Sequence, residues 1–254
     1  MTALAVDPVD SKKLYPAVVN ASGPALYLSD DWGAHWQRTG SLACGARKIY
    51  IDPRSPPSDR TLYLLEGNSV SIRKAGVWQQ GPAPVGVTQF TDASGGFSGD
   101  GQLTVYAIAG GRRSDPSRLF ISRNGGVTWN VANDALLRSV GKEVVPPQFT
   151  GVGTCFRHPE VAYLSYEDWH LDGQVFHGVA KTRDAGATWE LVWKEAEAPA
   201  SNVHDSWTSQ RFGTDWGEPG ISLGVAPTDP QICYRTDLGR TMRTLDGGKT
   251  WDAV

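Results

Sequence analysis

Three cysteines in a chain of 254 residues are too few for a disulfide framework. Cys44, Cys155 and Cys233 also stand too far apart for a metal-ligand motif. Buried thiols are the expectation, because cysteine is among the residue types most often found inside. Lys and Arg number 24 against 27 Asp and Glu, a formal net charge of -3. No basic face is on offer, and nucleic acid is excluded as an expected partner. No apolar run approaches the ~18 residues of a membrane span. Residues 1–7 lack the charged start and long apolar stretch of a signal peptide, so the chain reads as a cytosolic, mature or truncated form. Helical periodicity is scarce, and residues 135–140 would make one turn at most. Neither a phosphate-cradling glycine loop before a helix nor a nucleophile elbow occurs. No metal and no cofactor is expected.

What is abundant is tryptophan, with ten residues, and glycine, with 29. That combination suggests many short strands, many turns and large aromatic plugs, and it calls for a repeat search. One eight-residue pattern recurs: Ser29-Asp-Asp-Trp-Gly-Ala-His-Trp36, Ser122-Arg-Asn-Gly-Gly-Val-Thr-Trp129, Thr182-Arg-Asp-Ala-Gly-Ala-Thr-Trp189 and Thr244-Leu-Asp-Gly-Gly-Lys-Thr-Trp251. Ser71-Ile-Arg-Lys-Ala-Gly-Val-Trp78 is a degenerate copy that keeps Gly76 and Trp78. The acidic or amide oxygen at the third position (Asp31, Asn124, Asp184, Asp246) can accept backbone N–H bonds across its own turn. The glycine supplies a positive φ, and the tryptophan folds back as an apolar plug. These residues are expected to be structural.

A second repeat precedes each box. Val6-Asp-Pro8 leads to Leu14-Tyr15, Ile51-Asp-Pro53 to Leu62-Tyr63, and Thr228-Asp-Pro230 to Ile232-Cys-Tyr234. Arg157-His-Pro159 leading to Ala162-Tyr163 is looser, and Leu103-Thr-Val-Tyr106 keeps only the second half. Strand, Asp-Pro turn, strand, loop, strand, box, strand makes four strands per unit. The spacing of about 54 residues suits a four-stranded propeller blade with generous loops. The expected fold is all-β: one propeller domain spanning 1–254, with antiparallel blades at about 1–40, 41–85, 86–137, 149–200 and 201–254. Nothing in the repeat specifies an oligomeric state.

The boxes resemble those of the Asp-box (BNR) propeller superfamily, which includes sialidases, xyloglucanase-type glycoside hydrolases, the sortilin ectodomain and a photosystem II assembly factor. The Asp-Pro and Leu-Tyr strands paired with boxes look most like the xyloglucanase type. Tyr234-Arg-Thr-Asp-Leu-Gly-Arg240 also resembles a segment near the start of those propellers. The resemblance implies a glycan-active protein, with an oligo- or polysaccharide as partner, in a secreted or periplasmic setting. Xyloglucanase-type enzymes have two seven-bladed propellers, so five blades imply an incomplete ring or a looser kinship to that type, with a closed five-bladed ring as the lesser alternative. A sialidase would need an Arg-Ile-Pro segment and an arginine triad, neither of which is assignable here. The superfamily also implies an alternative, a non-catalytic module that binds protein or glycan.

In a propeller the boxes lie at the turn between the third and fourth strands, so a ligand face is expected at the opposite end. Candidate loops there are residues 166–173, with Asp168, Trp169, His170 and Asp172; residues 112–115, with Arg112, Arg113 and Asp115; and residues 204–218, with His204, Asp205, Trp207, Arg211, Asp215, Trp216 and Glu218. Arg235, Asp237 and Arg240 follow in the last blade. Carboxylates among tryptophans suit sugars, whose ring faces stack on aromatics and whose hydroxyls bond carboxylates. Asp205, Asp215 and Asp237 are the catalytic candidates, since glycoside hydrolysis requires two flanking carboxylates. Trp169, His170, His204, Trp207, Arg211, Trp216, Glu218, Arg235 and Arg240 are the substrate-binding ones.

Overall fold

The computed structural model describes residues 1–110, 116–140, 147–171, 173–196, 200–204, 220–237 and 239–254. It divides into two compact units, one of residues 1–89 with 123–128 and the other of residues 90–122 with 129–254.

The first unit holds two four-stranded antiparallel sheets. In chain order the first comprises β1 (Ala3–Val6), β2 (Leu14–Asn20), β3 (Gly23–Leu28) and β4 (Gln37–Ser41). The second comprises β5 (Ala46–Ile51), β6 (Leu62–Glu66), β7 (Ser69–Lys74) and β8 (Val77–Gln80). Each strand pairs with its sequence neighbour, as short connections favour. Tyr15, Ala17, Leu26, Ile51, Leu62 and Leu64 form the core between them. The Asp-Pro turn closes as an Asx turn: Asp7 Oδ1 accepts the backbone N–H of Val9 (2.9 Å) and Asp10 (3.0 Å). Arg60 adds a buried two-pronged pair to the same carboxylate, at 2.6 and 2.9 Å. Burial alone would raise the Asp7 pKa, but the Arg60 bond and the backbone donors outweigh it and hold the carboxyl below its ordinary value.

The second unit holds three sheets. Their strands are β9 (Phe90–Phe97), β10 (Leu103–Ala109), β11 (Arg118–Ser122) and β12 (Asn130–Val131); then β13 (Gln148–Cys155), β14 (His158–Leu171), β15 (Gln174–Thr182) and β16 (Glu190–Glu195); and last β17 (Val203–His204), β18 (Ser222–Val225), β19 (Cys233–Thr236), β20 (Thr241–Thr244) and β21 (Trp251–Ala253). The fold is an all-β array of five propeller blades, as the repeat predicts.

The details depart from expectation in three places. Residues 133–140 form a two-turn helix, α1 (Asn133–Val140), rather than a single turn, because Leu136 is buried among Leu119, Phe149 and Trp169. The last blade gains a fifth strand, since β17 pairs with β21 in parallel. Cys155 and Cys233 are buried as expected, but Cys44 is exposed.

The boxes share one hydrogen-bond pattern. In the first, fourth and fifth blades the Ser29, Thr182 or Thr244 hydroxyl donates to Asp Oδ1 at 2.8, 2.9 and 2.9 Å. The hydroxyl oxygen itself accepts the N–H of Gly33, Gly186 or Gly248 at 2.8, 2.9 and 2.7 Å. Asp Oδ1 then takes the N–H of His35, Thr188 or Thr250. Two successive residues are left-handed, Trp32–Gly33, Gly125–Gly126, Ala185–Gly186 and Gly247–Gly248. The degenerate copy keeps this doublet alone, as the two-residue turn Ala75–Gly76.

Candidate functional site

In each antiparallel blade the boxes join the third and fourth strands, so the turn between the second and third strands emerges at the other end. In the fourth and fifth blades that end carries a buried charged network. β19 holds Arg235, the following turn holds Asp237 and Arg240, β16 ends in Glu195, β15 contributes His177 and β14 contributes Ser165. Asp237 Oδ2 lies 3.2 Å from Arg235 Nη1 and 3.0 Å from Arg240 Nε. Asp237 Oδ1 accepts the backbone N–H of Gly239 (3.1 Å) and Arg240 (2.7 Å), an Asx turn that shapes the loop. Arg240 Nη1 reaches Glu195 Oε2 at 3.0 Å, and His177 Nε2 lies 3.2 Å from the same oxygen. Arg235 Nε donates to Ser165 Oγ at 3.1 Å. The guanidinium carbons of Arg235 and Arg240 sit 4.7 and 5.2 Å from the centre of the Trp193 ring.

The electrostatics balance. Two guanidinium charges meet two carboxylates, all buried, where an unpaired charge would be costly. Burial would raise the Glu195 pKa, yet the His177 bond and the Arg240 charge hold it below the ordinary glutamate value. Burial pulls the Arg235 pKa down, with Asp237 pulling it back. Glu167, on β14 beside this network, goes the other way. Burial and the neighbouring Asp168 raise its pKa, with Arg235 opposing, as suits a carboxyl that gives up a proton.

The sequence candidates distribute as follows. Arg235, Asp237 and Arg240 come together as one cluster. Trp169 is not on the face: its ring is 1% exposed and packs edge-on against Tyr166 at 4.9 Å. The reason is a bulge at Asp168 (φ +57°), which turns residues 169–171 back into pairing with Phe176, Val175 and Gln174. His170 is part-exposed and lies 3.3 Å from Asp168 Oδ1. His204 ends β17, 3.2 Å from Asp252 Oδ1. Asp205, Trp207, Arg211, Asp215, Trp216 and Glu218 lie outside the described residues, as do Arg112, Arg113, Asp115 and Asp172. Gly220, where the described chain resumes, has no room for a side chain beside Ser165 and Thr150.

Glu195, His177 and Ser165 carry no sequence signal of their own. Only strand register brings them to Arg235 and Arg240. Glu167 sits inside a segment that the sequence does single out, but its neighbours there draw more attention. Among the described residues no group of three or more His, Cys, Asp or Glu side chains is placed to hold a metal ion. No helix among them is long and apolar enough to cross a membrane.

No family model and no curated protein matches the chain. Solved structures do. A GH74 xyloglucanase from Xanthomonas campestris superposes with TM-score 0.62 at 17% identity, over 98% of this chain and 38% of that one. A GH74 enzyme from Niastella koreensis gives 0.66 at 14%, over 99% of this chain and 38% of that one. YCF48, solved bound to a D1 peptide, gives 0.57 at 12%, over 99% and 65%. The chain spans less than two thirds of each of these proteins, and at such identities the likeness is one of propeller fold.

Proposed function

We propose that residues 1–254 form one Asp-box propeller domain that acts on glycans, as a hydrolase of xyloglucanase-like or sialidase-like type. Its substrate is an extracellular polysaccharide, met in a secreted or periplasmic setting. The ligand face is the end opposite the boxes in the third to fifth blades. The observation that carries this reading is the cluster of Arg235, Asp237, Arg240, Glu195 and Trp193, with Glu167, whose carboxyl pKa burial and Asp168 push upward, beside it.

In this reading Asp237 is charge-balanced and holds the buried Arg235 and Arg240 as the charged floor beneath the ligand face. Glu167 is the described carboxyl best suited to donate a proton to a glycosidic oxygen. Asp205 and Asp215 are the candidates for the opposing carboxylate. His204, Trp207, Arg211, Trp216 and Glu218 would line the same face, with His170 at its margin.

A second reading, a glycan- or protein-binding module without catalysis, is favoured by one observation. Asp237 and Glu195 are both fully engaged by arginines, as suits a rigid platform. Hydrolysis and binding assays on xyloglucan, β-glucans and sialosides separate the two, run on the natural chain and on Glu167→Gln, Asp205→Asn, Asp215→Asn and Asp237→Asn. Reducing sugar released by the natural chain and lost in Glu167→Gln with one of the Asp variants establishes the hydrolase. Binding without turnover establishes the module. Neither binding nor turnover on any glycan overturns the proposal.

A further inference from the structure

Four boxes repeat one turn, yet only the third carries an amide. Asn124 stands where Asp31, Asp184 and Asp246 stand, and of the chain's six asparagines it alone is followed by glycine. That pair is chemically labile. A glycine has no side chain to shield its backbone nitrogen from the carbonyl carbon of the preceding side chain. A carboxylate at the same position is a poor electrophile, because its charge repels the nucleophile.

Packing keeps the glycine in place. Gly125 has φ +68°, and a side chain on it would come within 2.7 Å of the Tyr63 ring. Gly126, at φ +90°, is approached as closely by Val70.

The folded box grips the amide at both atoms. Asn124 Oδ1 accepts the Thr128 backbone N–H at 2.9 Å, and Nδ2 donates to Thr128 Oγ1 at 2.9 Å. In the fourth and fifth blades the same arrangement holds an acid. Asp184 Oδ1 accepts the Thr188 N–H at 2.8 Å, and its Oδ2 accepts the Thr188 hydroxyl at 2.6 Å. Asp246 takes the same two donors of Thr250 at 3.0 and 2.8 Å. An aspartate at position 124 keeps the backbone bond and turns the Thr128 hydroxyl from acceptor to donor. Hydrogen bonds to a charged acceptor are the stronger kind, so this turn favours the acid over the amide.

We propose that Asn124 is a site of spontaneous deamidation, at which the third box matures from its amide to its aspartate form. The Gly125 nitrogen attacks Asn124 Cγ and closes a cyclic imide. The Cγ–Nδ2 bond breaks, and ammonia leaves with the proton that Gly125 gives up. Water then adds at Cγ, the bond from Cγ to the Gly125 nitrogen breaks, and that nitrogen recovers its proton. One amide and one water become one carboxylate and one ammonium ion. Opening at the other imide carbonyl would route the backbone through the side chain as isoaspartate. That product lengthens the turn and breaks its register with Thr128, so the fold selects aspartate. Asp246-Gly247 in the fifth box is the matched control: it is already an acid, and its Gly247 N–H is bound to the Gln231 carbonyl at 2.9 Å.

Ageing the freshly purified full chain in mildly alkaline buffer at body temperature tests this, read by ion exchange and peptide mapping. The expected result is a single new species with one extra negative charge, aspartate at position 124 and the other asparagines intact. Thr128→Val releases Nδ2 and should age severalfold faster. Asn124→Asp, the product made directly, should co-elute with the aged species and melt no lower than the fresh chain. Fragmentation by electron transfer separates aspartate from isoaspartate. An Asn124 that stays an amide in the folded chain, isoaspartate as the main product, or an Asn124→Asp chain that melts lower would each overturn the proposal.

Discussion

Tryptophan at the end of each box shows how identical local sequence meets unequal surroundings. Trp251 is fully buried, its ring 5.2 Å from that of Trp193 and its Nε1 donating to the Val192 carbonyl at 3.2 Å. Trp36 is 46% exposed. Trp251→Ala should therefore cost about 3–5 kcal/mol and Trp36→Ala well under half of that, read as shifts in urea midpoint. Asp246→Ala should cost about 1–2 kcal/mol, because the Thr250 N–H and Thr244 hydroxyl lose their acceptor while partial exposure lets water replace it. In the buried network Glu195→Ala should cost more, about 3–5 kcal/mol, since it leaves Asp237 alone to balance two buried guanidiniums and takes the partner from His177. Equal losses for the two tryptophan variants would show that the box ring stabilises its own turn rather than the junction. The box acid was legible from the repeat, whereas Glu195 was not. Nothing in Glu190-Leu-Val-Trp-Lys-Glu195 marks its last residue as different from its first.

At the scale of the element, the repeat announced strands and their order but not their ends. β14 runs to Leu171 because the bulge at Asp168 lets the β14–β15 hairpin continue past the blade, where a binding loop had been expected. α1 was underestimated because its signal is tertiary. Eight residues are marginal as an isolated helix, and Leu136 becomes helical by packing. Leu136→Ala should lower stability by about 2–4 kcal/mol, with loss of α1 amide protection ahead of the strands in hydrogen exchange. Protection lost uniformly would contradict a helix held only by that contact. β17 is likewise decided by neighbours: Asn202 donates to the Val192 carbonyl at 2.8 Å, and Trp251 N–H donates to the Asn202 carbonyl at 2.8 Å.

For the molecule as a whole, pH should act asymmetrically. Asp7, Asp31, Asp184, Glu195 and Asp246 all have lowered pKa values. For Asp31 the His35 backbone N–H leads; for the others burial pushes upward and hydrogen bonds or arginine charge outweigh it. A depressed carboxylate stabilises the fold fully above its ordinary value, 3.8 for Asp and 4.5 for Glu, and the contribution is lost as pH falls through the folded value. The melting temperature should thus hold from about pH 7 to 5 and fall steeply below about 4. Lys181, which burial pushes down to about 8, contributes a penalty instead, and its slope runs the same way: stability should rise between about pH 8 and 10 as the unfolded chain alone keeps that proton. A melting temperature flat from pH 7 to 3 would contradict the first expectation.

The sequence by itself determined the number of blades, the strand order and the chemistry of the boxes, because these rest on contacts within about eight residues that every copy repeats. Only tertiary structure decided which box tryptophans are buried and where Glu195 and His177 meet Arg240. Those outcomes depend on strand register and on the neighbouring blade, and no local pattern encodes either.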